Sequence, residues 1–280
     1  MEATEVGGLR ITYERAGTGP PLVFLHGYVG DGRATWHHQL DDLSDEFTVI
    51  AWDAPGAGGS SDPPESFGTA GYADALAGFV AALGLDAPHV VGLSFGGILA
   101  LALYRRHPAV PRTLTLASAY AGWGGSFPAE VAGQRLRHSL ALADLTPEEF
   151  AGTLLPTIFR AGTPAETVAP FAASVRAFHP VGFRAMARAS AENLRDVLPK
   201  VEVPTLLVYG AEDVRAPLPV ARDLEASIPA STLVVLDGAG HACNLEAPDE
   251  FNRVVRSFLR GSTLSRPATL VSEEDVAEDE

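Results

Sequence analysis

The sequence predicts an α/β fold in which a mostly parallel central sheet is flanked by helices and carries a helical lid insertion. Short β-branched runs alternate with longer helical stretches, which is the order expected of parallel strands joined by crossover helices. Several strand candidates are continuous apolar runs, among them LVFLHG, HVVGLS, TLLVYG and TLVVLD. Runs of this kind are typical of strands that are buried on both faces. The stretch 122–199, by contrast, contains no convincing strand.

The individual elements follow from β-branched runs and from helix stop signals. Strands are predicted at Leu9–Arg15, Leu22–His26, Phe47–Trp52, His89–Leu93, Thr113–Ser118, Thr205–Gly210 and Thr232–Asp237. Helices are predicted between them at Gly71–Leu83, Phe95–His107, Ala216–Ser227 and Pro248–Leu259. Gly84 and Pro108 end the first two helices. The last helix opens with proline followed by acidic residues, as helix N-termini prefer.

The stretch 122–199 contains amphipathic or alanine-rich segments separated by proline or glycine: Ala129–Leu142, Pro147–Phe159, Pro164–Phe178 and Val181–Leu198. It is too long to be a simple loop between two strands. We therefore predict a core domain in two parts, residues 1–121 and 200–264, with a helical lid at 122–199 between them. Residues 265–280 form an acidic tail, which we predict to be disordered because Ser272–Glu280 holds six acids and no aromatic residue.

Composition excludes several classes of function. The 280 residues carry 35 acidic and 20 basic side chains, a net charge of −15, which argues against nucleic acid or an anionic membrane as partner. Lys200 is the sole lysine, so no phosphate-binding GK[ST] loop exists, and Cys243 is the sole cysteine, so no disulfide or CxxC site exists. Neither a signal peptide nor a membrane-length apolar run occurs. We predict a soluble, cytoplasmic protein acting on a small molecule, with its oligomeric state open.

The sharpest local motif is Gly92-Leu93-Ser94-Phe95-Gly96, where a buried strand ends and a helix begins. A G-x-S-x-G turn in this context holds the serine in a strained, exposed position, and the small residues allow the chain to turn sharply. The helix N-terminus behind the serine favours developing negative charge. Ser94 is therefore predicted to be a catalytic nucleophile.

A serine nucleophile needs a base to take its proton and a third group to orient that base. Asp213 and His241 each follow a later predicted strand, so the chain order is Ser94, Asp213, His241. This order is the one expected when three loops converge at the carboxyl edge of the sheet. The other possible position for the acid, after the strand at 113–118, offers no carboxylate. Glu212 remains an alternative to Asp213.

Five motifs in order resemble the α/β-hydrolase superfamily, serine-nucleophile branch, over residues 8–261. They are the His26-Gly27 turn, the segment Asp53–Ser60, the turn around Ser94, the acid loop Gly210–Pro217, and Gly240-His241 through Glu246 with Pro248. The resemblance implies an oxyanion hole made by the backbone N–H groups of Tyr28 and Phe95. It also makes Asp53 a residue that fixes loop geometry. His26 is expected to bind backbone in its turn, and Cys243 to be a small space-filling residue.

Trp123 and Phe127 are candidate substrate-binding residues, although packing of the lid onto the sheet explains them equally well. No HExxH or comparable ligand set occurs in the sequence, so we expect no metal. Gly56–Ser60 lacks the third glycine of a dinucleotide fingerprint and no helix is predicted there, so we expect no cofactor.

The predicted activity is hydrolysis of a small carboxylic ester or lactone, of the carboxylesterase or lactonase type. Ser94 argues against epoxide hydrolases and haloalkane dehalogenases, which resemble this chain but place aspartate at the elbow. Three alternatives stay open: a C–C bond hydrolase, a cofactor-free perhydrolase on the same three residues, and a non-catalytic ligand-binding member of the fold.

Overall fold

A computed structural model describes residues 1–261, so the acidic tail predicted at 265–280 lies outside the described residues. Within residues 1–261 the strands form one eight-stranded sheet in the order β1-β2-β4-β3-β5-β6-β7-β8. β1 and β2 are antiparallel to their neighbours, whereas β3 to β8 run parallel. The strands are β1 (Glu2–Val6), β2 (Leu9–Ala16), β3 (Pro21–Leu25), β4 (Thr48–Trp52), β5 (His89–Leu93), β6 (Thr113–Ala117), β7 (Thr205–Gly210) and β8 (Ser231–Leu236).

Helices cover both faces of this sheet, so the predicted α/β class is confirmed. Side chains of α1 (Gly32–Leu43) and α11 (Pro248–Leu259) form one apolar layer, which includes Trp36 and Phe251. Side chains of α2 (Gly68–Ala82), α3 (Phe95–Arg106) and α9 (Leu218–Ser227) form the other. Every residue of β4, β5, β6 and β7 is buried. This two-sided burial explains why these strands are continuous apolar runs.

Five helices lie between β6 and β7: α4 (Trp123–Ser126), α5 (Ala129–Leu142), α6 (Pro147–Ile158), α7 (Ala165–Arg176) and α8 (Pro180–Ser190). The helix predicted over Val181–Leu198 is wrong in its second half, because α8 ends at Ser190 and a 3₁₀ helix forms at Leu198–Lys200. The Glu192 carboxylate accepts hydrogen bonds from the N–H and the hydroxyl of Thr69. The Leu194 N–H donates to the Ala121 carbonyl oxygen. These contacts with distant residues hold the chain out of the helix.

The sequence prediction gave no bounds for α1 and missed β1, the short α4 and α10 (Cys243–Glu246). β1 is a polar edge strand, mostly exposed, and its ladder with β2 depends on main-chain hydrogen bonds rather than on an apolar pattern. No helix in residues 1–261 has the length and apolar character needed to cross a membrane.

His89, at the start of β5, gives a prediction for the pH dependence of stability. Its ring is buried, shares a hydrogen bond with the Thr113 hydroxyl and packs edge-on against Phe47. Burial, followed by the charge of Arg112, lowers the pKa of His89 to about 4. Because the unfolded state then binds more protons between pH 4 and about 6.5, the free energy of unfolding should fall as the pH drops through this range.

The variant His89→Gln removes this titration, so we expect its stability to fall less steeply, by up to roughly 1.4 kcal/mol per pH unit. Urea unfolding of both proteins between pH 4 and 7 measures the difference. The other buried histidines contribute equally to both curves. His138→Gln, which changes an exposed histidine, should keep the wild-type slope; parallel curves for His89→Gln would contradict the prediction.

Candidate active site

Ser94 occupies the sharp turn between β5 and α3. Its backbone has φ 55° and ψ −110°, a conformation that residues with a side chain rarely adopt. The Ser94 N–H donates to the Ala117 carbonyl oxygen of β6, and the Ser94 carbonyl oxygen accepts from Gly97 and Ile98 at the start of α3. The strained residue is thus fixed by bonds to the sheet and to the helix, as strained functional residues generally are.

Glycines on both sides of Ser94 let the turn close. A Cβ on Gly92 would overlap the carbonyl oxygen of Gly96, and a Cβ on Gly96 would overlap the carbonyl oxygen of Leu25. Neither position can accept a side chain without moving backbone. The G-x-S-x-G motif is therefore a steric requirement of this packed turn.

Asp213 and His241 form a buried pair at the same edge of the sheet, each being only 5% exposed. The His241 Nδ1 atom lies 2.9 Å from Asp213 Oδ2. Asp213 Oδ1 accepts hydrogen bonds from the backbone N–H groups of Arg215 and Ala216, both at 2.8 Å. Burial by itself raises the pKa of Asp213, but the His241 imidazole, the Ala216 N–H and the Ser118 hydroxyl outweigh it and hold the pKa below its usual value. The carboxylate is therefore ionised and aimed at His241.

The segment carrying His241 runs back across the ends of β7 and β6 toward Ser94. Cys243 Sγ lies 3.9 Å from the Val208 carbonyl oxygen of β7 and 3.9 Å from the Ser118 hydroxyl at the end of β6. Within residues 1–261, however, Ser94 Oγ and His241 Nε2 do not share a hydrogen bond. Such contacts often form only once a substrate is bound.

The backbone N–H groups of Tyr28 and Phe95 lie on either side of the Ser94 turn. Phe95 is the first residue of α3, and Tyr28 follows Gly27, whose Cβ position would be 3.8 Å from Ser94 Cβ. Neither N–H is among the backbone donors bonded within residues 1–261. Both are thus free to bind an oxygen of a substrate.

The Tyr28 side chain separates two cavities, of about 250 and 270 Å³. Its ring packs against Phe183, with centroids 5.1 Å apart, and edge-on against Trp123 at 6.0 Å. Ser94 lines neither cavity and is 6% exposed. Access to the serine from these cavities therefore requires side chains or the helices between β6 and β7 to move.

The two candidate substrate-binding residues lie in different places. Trp123 lines the 270 Å³ cavity together with Tyr28. Phe127 does not belong to this cavity: its ring packs 5.7 Å from that of Tyr120 and lies 4.1 Å beneath the Arg135 guanidinium. An aromatic residue in a predicted lid is thus not by itself a sign of the pocket.

Three residues that the sequence analysis set aside as structural are indeed structural. His26 bonds to Gly27 O through Nδ1 and accepts the Ala54 N–H at Nε2, and burial lowers its pKa. Asp53 accepts from the Thr12 hydroxyl and from the N–H groups of Gly32, the first residue of α1, and of Gly59. Cys243 is fully buried, and burial raises the pKa of its thiol to about 12. Within residues 1–261, no three His, Cys, Asp or Glu side chains are grouped to hold a metal ion.

Two residues that position the site were missed by the sequence analysis. Glu246 accepts from the N–H groups of Gly240 and Arg160 and from the Thr163 hydroxyl, so it ties the His241 loop to the end of α6. Arg215 donates to the Tyr28 hydroxyl and to Thr157 on α6. Their partners are remote in sequence, so no local pattern reveals them.

The sheet order, the helices on both faces of the sheet and the strained turn at Ser94 together define an α/β hydrolase. A family model described as the alpha/beta hydrolase fold matches residues 20–248. The chain belongs to this family, which confirms the resemblance found in the sequence.

Individual relatives narrow the class further. The chain is 28% identical over 262 residues to the serine hydrolase BPHL of Mus musculus, covering 91% of this chain and 84% of that protein. It is 30% identical over 262 residues to a pimeloyl-[acyl-carrier protein] methyl ester esterase of Neisseria meningitidis, covering 84% and 92%.

Solved structures give the same family likeness. A thermophilic esterase from Thermogutta terrifontis superposes with a TM-score of 0.86 at 27% identity, covering 93% of this chain and 99% of that one. The enol-lactonase from Burkholderia xenovorans superposes with a TM-score of 0.84 at 25% identity, covering 92% and 100%.

Proposed function

We propose that this α/β hydrolase cleaves a small carboxylic ester or lactone through an acyl-enzyme on Ser94. The observation that carries the proposal is the buried Asp213–His241 pair, which lies at the same sheet edge as the strained Ser94 turn. The named relatives, an esterase and an enol-lactonase among them, support ester bonds as the target.

In the proposed reaction, His241 Nε2 takes the proton of Ser94 Oγ as that oxygen attacks the substrate carbonyl. Asp213 keeps the imidazole proton on Nδ1 and stabilises the imidazolium that forms. The N–H groups of Tyr28 and Phe95 hold the oxyanion, and each such donor contributes roughly 3 kcal/mol to transition-state stabilisation. The alkoxide then leaves with the proton from His241, and a water activated by His241 hydrolyses the acyl-enzyme.

We also propose that the helical segment 122–199 acts as the lid. Its residue Trp123 packs against Tyr28, and its Thr157 and Arg160 are bonded to the loops that carry Asp213 and His241. Lid movement is then directly coupled to access to the nearly covered Ser94.

The test is labelling with a fluorophosphonate and location of the adduct by peptide mass spectrometry, followed by a p-nitrophenyl ester series of increasing acyl length. We expect the adduct on Ser94 and turnover of short esters. Labelling without turnover of these esters would redirect the assignment to lactones, C–C bond substrates or peroxide chemistry. A protein that takes no label would contradict an activated serine and support the binding-protein alternative.

A further inference from the structure

The 270 Å³ cavity beside Tyr28 is basic, although the protein as a whole is strongly acidic. Its lining includes Arg135, His138 and Arg215, together with hydroxyl groups and Trp123. None of its ten lining residues carries a carboxylate. The chain has a net charge of −15. A cavity lined by basic side chains and no acidic ones is therefore not expected from the composition alone.

The guanidinium of Arg215 makes no hydrogen bond or ion pair with a carboxylate within residues 1–261, although the charge of Asp213 acts on it at longer range and raises its pKa. It donates from Nη1 to the Thr157 hydroxyl at 2.8 Å and from Nη2 to the Tyr28 hydroxyl at 2.5 Å, and both acceptors are neutral. The nearby Asp213 carboxylate is already bonded to His241. Only two of the five guanidinium N–H donors are therefore used, and Nε is buried without an acceptor.

Arg135, on α5, adds a second cation to the same cavity. Its Nη2 donates to the Arg215 carbonyl oxygen at 2.9 Å, and its guanidinium lies over the Phe127 ring, so it too contacts no carboxylate in the described chain. The guanidinium carbon of Arg135 also lies 5.8 Å from the centre of the Tyr120 ring. Partly buried cations that no carboxylate contacts directly are costly, and an anion bound in direct contact would lower that cost.

We propose that this cavity binds a carboxylate of the substrate, so that the enzyme acts on an anionic ester or lactone, such as a half-ester of a dicarboxylic acid. The proposal rests on the function proposed above and names the substrate class. Tyr28 would set the geometry: its backbone N–H is one of the two donors proposed above for the oxyanion, and its hydroxyl accepts from Arg215. The carboxylate is thus one tyrosine side chain away from the scissile bond, and a guanidinium favours it through charge-assisted, bidentate bonding.

The first experiment compares kcat/KM for matched pairs of p-nitrophenyl esters: mono-esters of succinate to suberate and their neutral, methyl-terminated isosteres. We expect the wild type to prefer the anionic member, with an optimum at one chain length. Arg215→Met should lower this anionic-to-neutral ratio about 10- to 100-fold, mainly through KM. Arg215→Lys should retain part of the preference. The ratio is independent of any general loss of activity in a variant.

Arg135→Met is the second variant, because the Arg215 side chain also bonds to Tyr28 and Thr157 and its loss can disturb the fold. It should lower the same ratio. The matched control is Arg137→Met, which removes an exposed arginine from the same helix outside the cavity and should keep the wild-type ratio. Equal loss of activity on both esters in Arg215→Met, or a wild type without charge preference, would overturn the proposal.

The second experiment does not depend on turnover. Calorimetry on Ser94→Ala should detect adipate binding and no binding of the neutral adipamide, and Arg215→Met in that background should weaken adipate binding 10- to 100-fold. Adipate binding without ester turnover would overturn the proposed reaction and keep the carboxylate site. Labelled Ser94 and ester turnover without adipate binding would overturn the carboxylate site and keep the proposed reaction.

Discussion

Replacing Ser94 by alanine is expected to lower kcat/KM for ester hydrolysis by a factor of about 10⁴ to 10⁶. The substitution removes the oxygen that forms the acyl-enzyme but leaves the Tyr28 and Phe95 N–H groups and the buried Asp213–His241 pair in place. A small residual rate over water should therefore remain. The measurement is steady-state turnover of a p-nitrophenyl ester. The control Ser227→Ala, at the end of α9, should keep wild-type activity; a Ser94→Ala protein that does the same would refute the assignment.

The companion variant Ser94→Gly separates the loss of the hydroxyl from the backbone strain. At φ 55° and ψ −110° a residue with a Cβ carries a strain of about 1 to 3 kcal/mol, and glycine carries almost none. Glycine also makes the unfolded chain more flexible, which costs about 0.4 to 1 kcal/mol. Ser94→Gly should thus be inactive but about 1 kcal/mol more stable than Ser94→Ala in urea unfolding. Equal stability would mean that the turn holds no such strain.

Local pattern carried most of what could be predicted about this fold. The central strands are short apolar runs buried on both faces, and the apolar composition of each run is enough to predict this burial. β1 was missed because an exposed edge strand is specified by the main chain of β2 rather than by its own side chains. The end of α8 was missed because Glu192 and Leu194 bond to residues far away in the sequence.

The candidate site residues also divide into those that local pattern predicts and those that depend on contacts remote in sequence. Ser94, Asp213 and His241 each follow a strand, so the topology alone brings their loops to one edge. The contacts of Arg215 and Glu246 depend on the segment 122–199: Arg215 bonds to Thr157, and Glu246 bonds to Arg160 and Thr163. The packing of the segment 122–199 on the sheet edge is a matter of tertiary structure, and the spacing of residues along the sequence does not predict it. The cavity and its charge therefore became visible only with the structure.

Replacing Asp213 by asparagine should lower kcat by about 10⁴-fold while the fold stays intact. The reason lies in the two backbone N–H groups, of Arg215 and Ala216, that donate to Oδ1. In Asp213→Asn these donors hold the amide oxygen at the Oδ1 position, which forces the NH₂ group to the Oδ2 position, 2.9 Å from His241 Nδ1. The NH₂ group then donates to Nδ1, so the imidazole proton moves to Nε2.

An imidazole with its proton on Nε2 cannot accept the proton of Ser94, and so the chemical step slows even though every heavy atom keeps its place. The matched control is Glu212→Gln, the neighbouring exposed acid that the sequence left as an alternative; we expect its kcat to stay within about 2-fold of the wild type. Stopped-flow acylation by a p-nitrophenyl ester measures the step directly. A large loss in Glu212→Gln with a normal Asp213→Asn would transfer the orienting role to Glu212. Wild-type activity in both variants would mean that neither carboxylate sets the tautomer of His241.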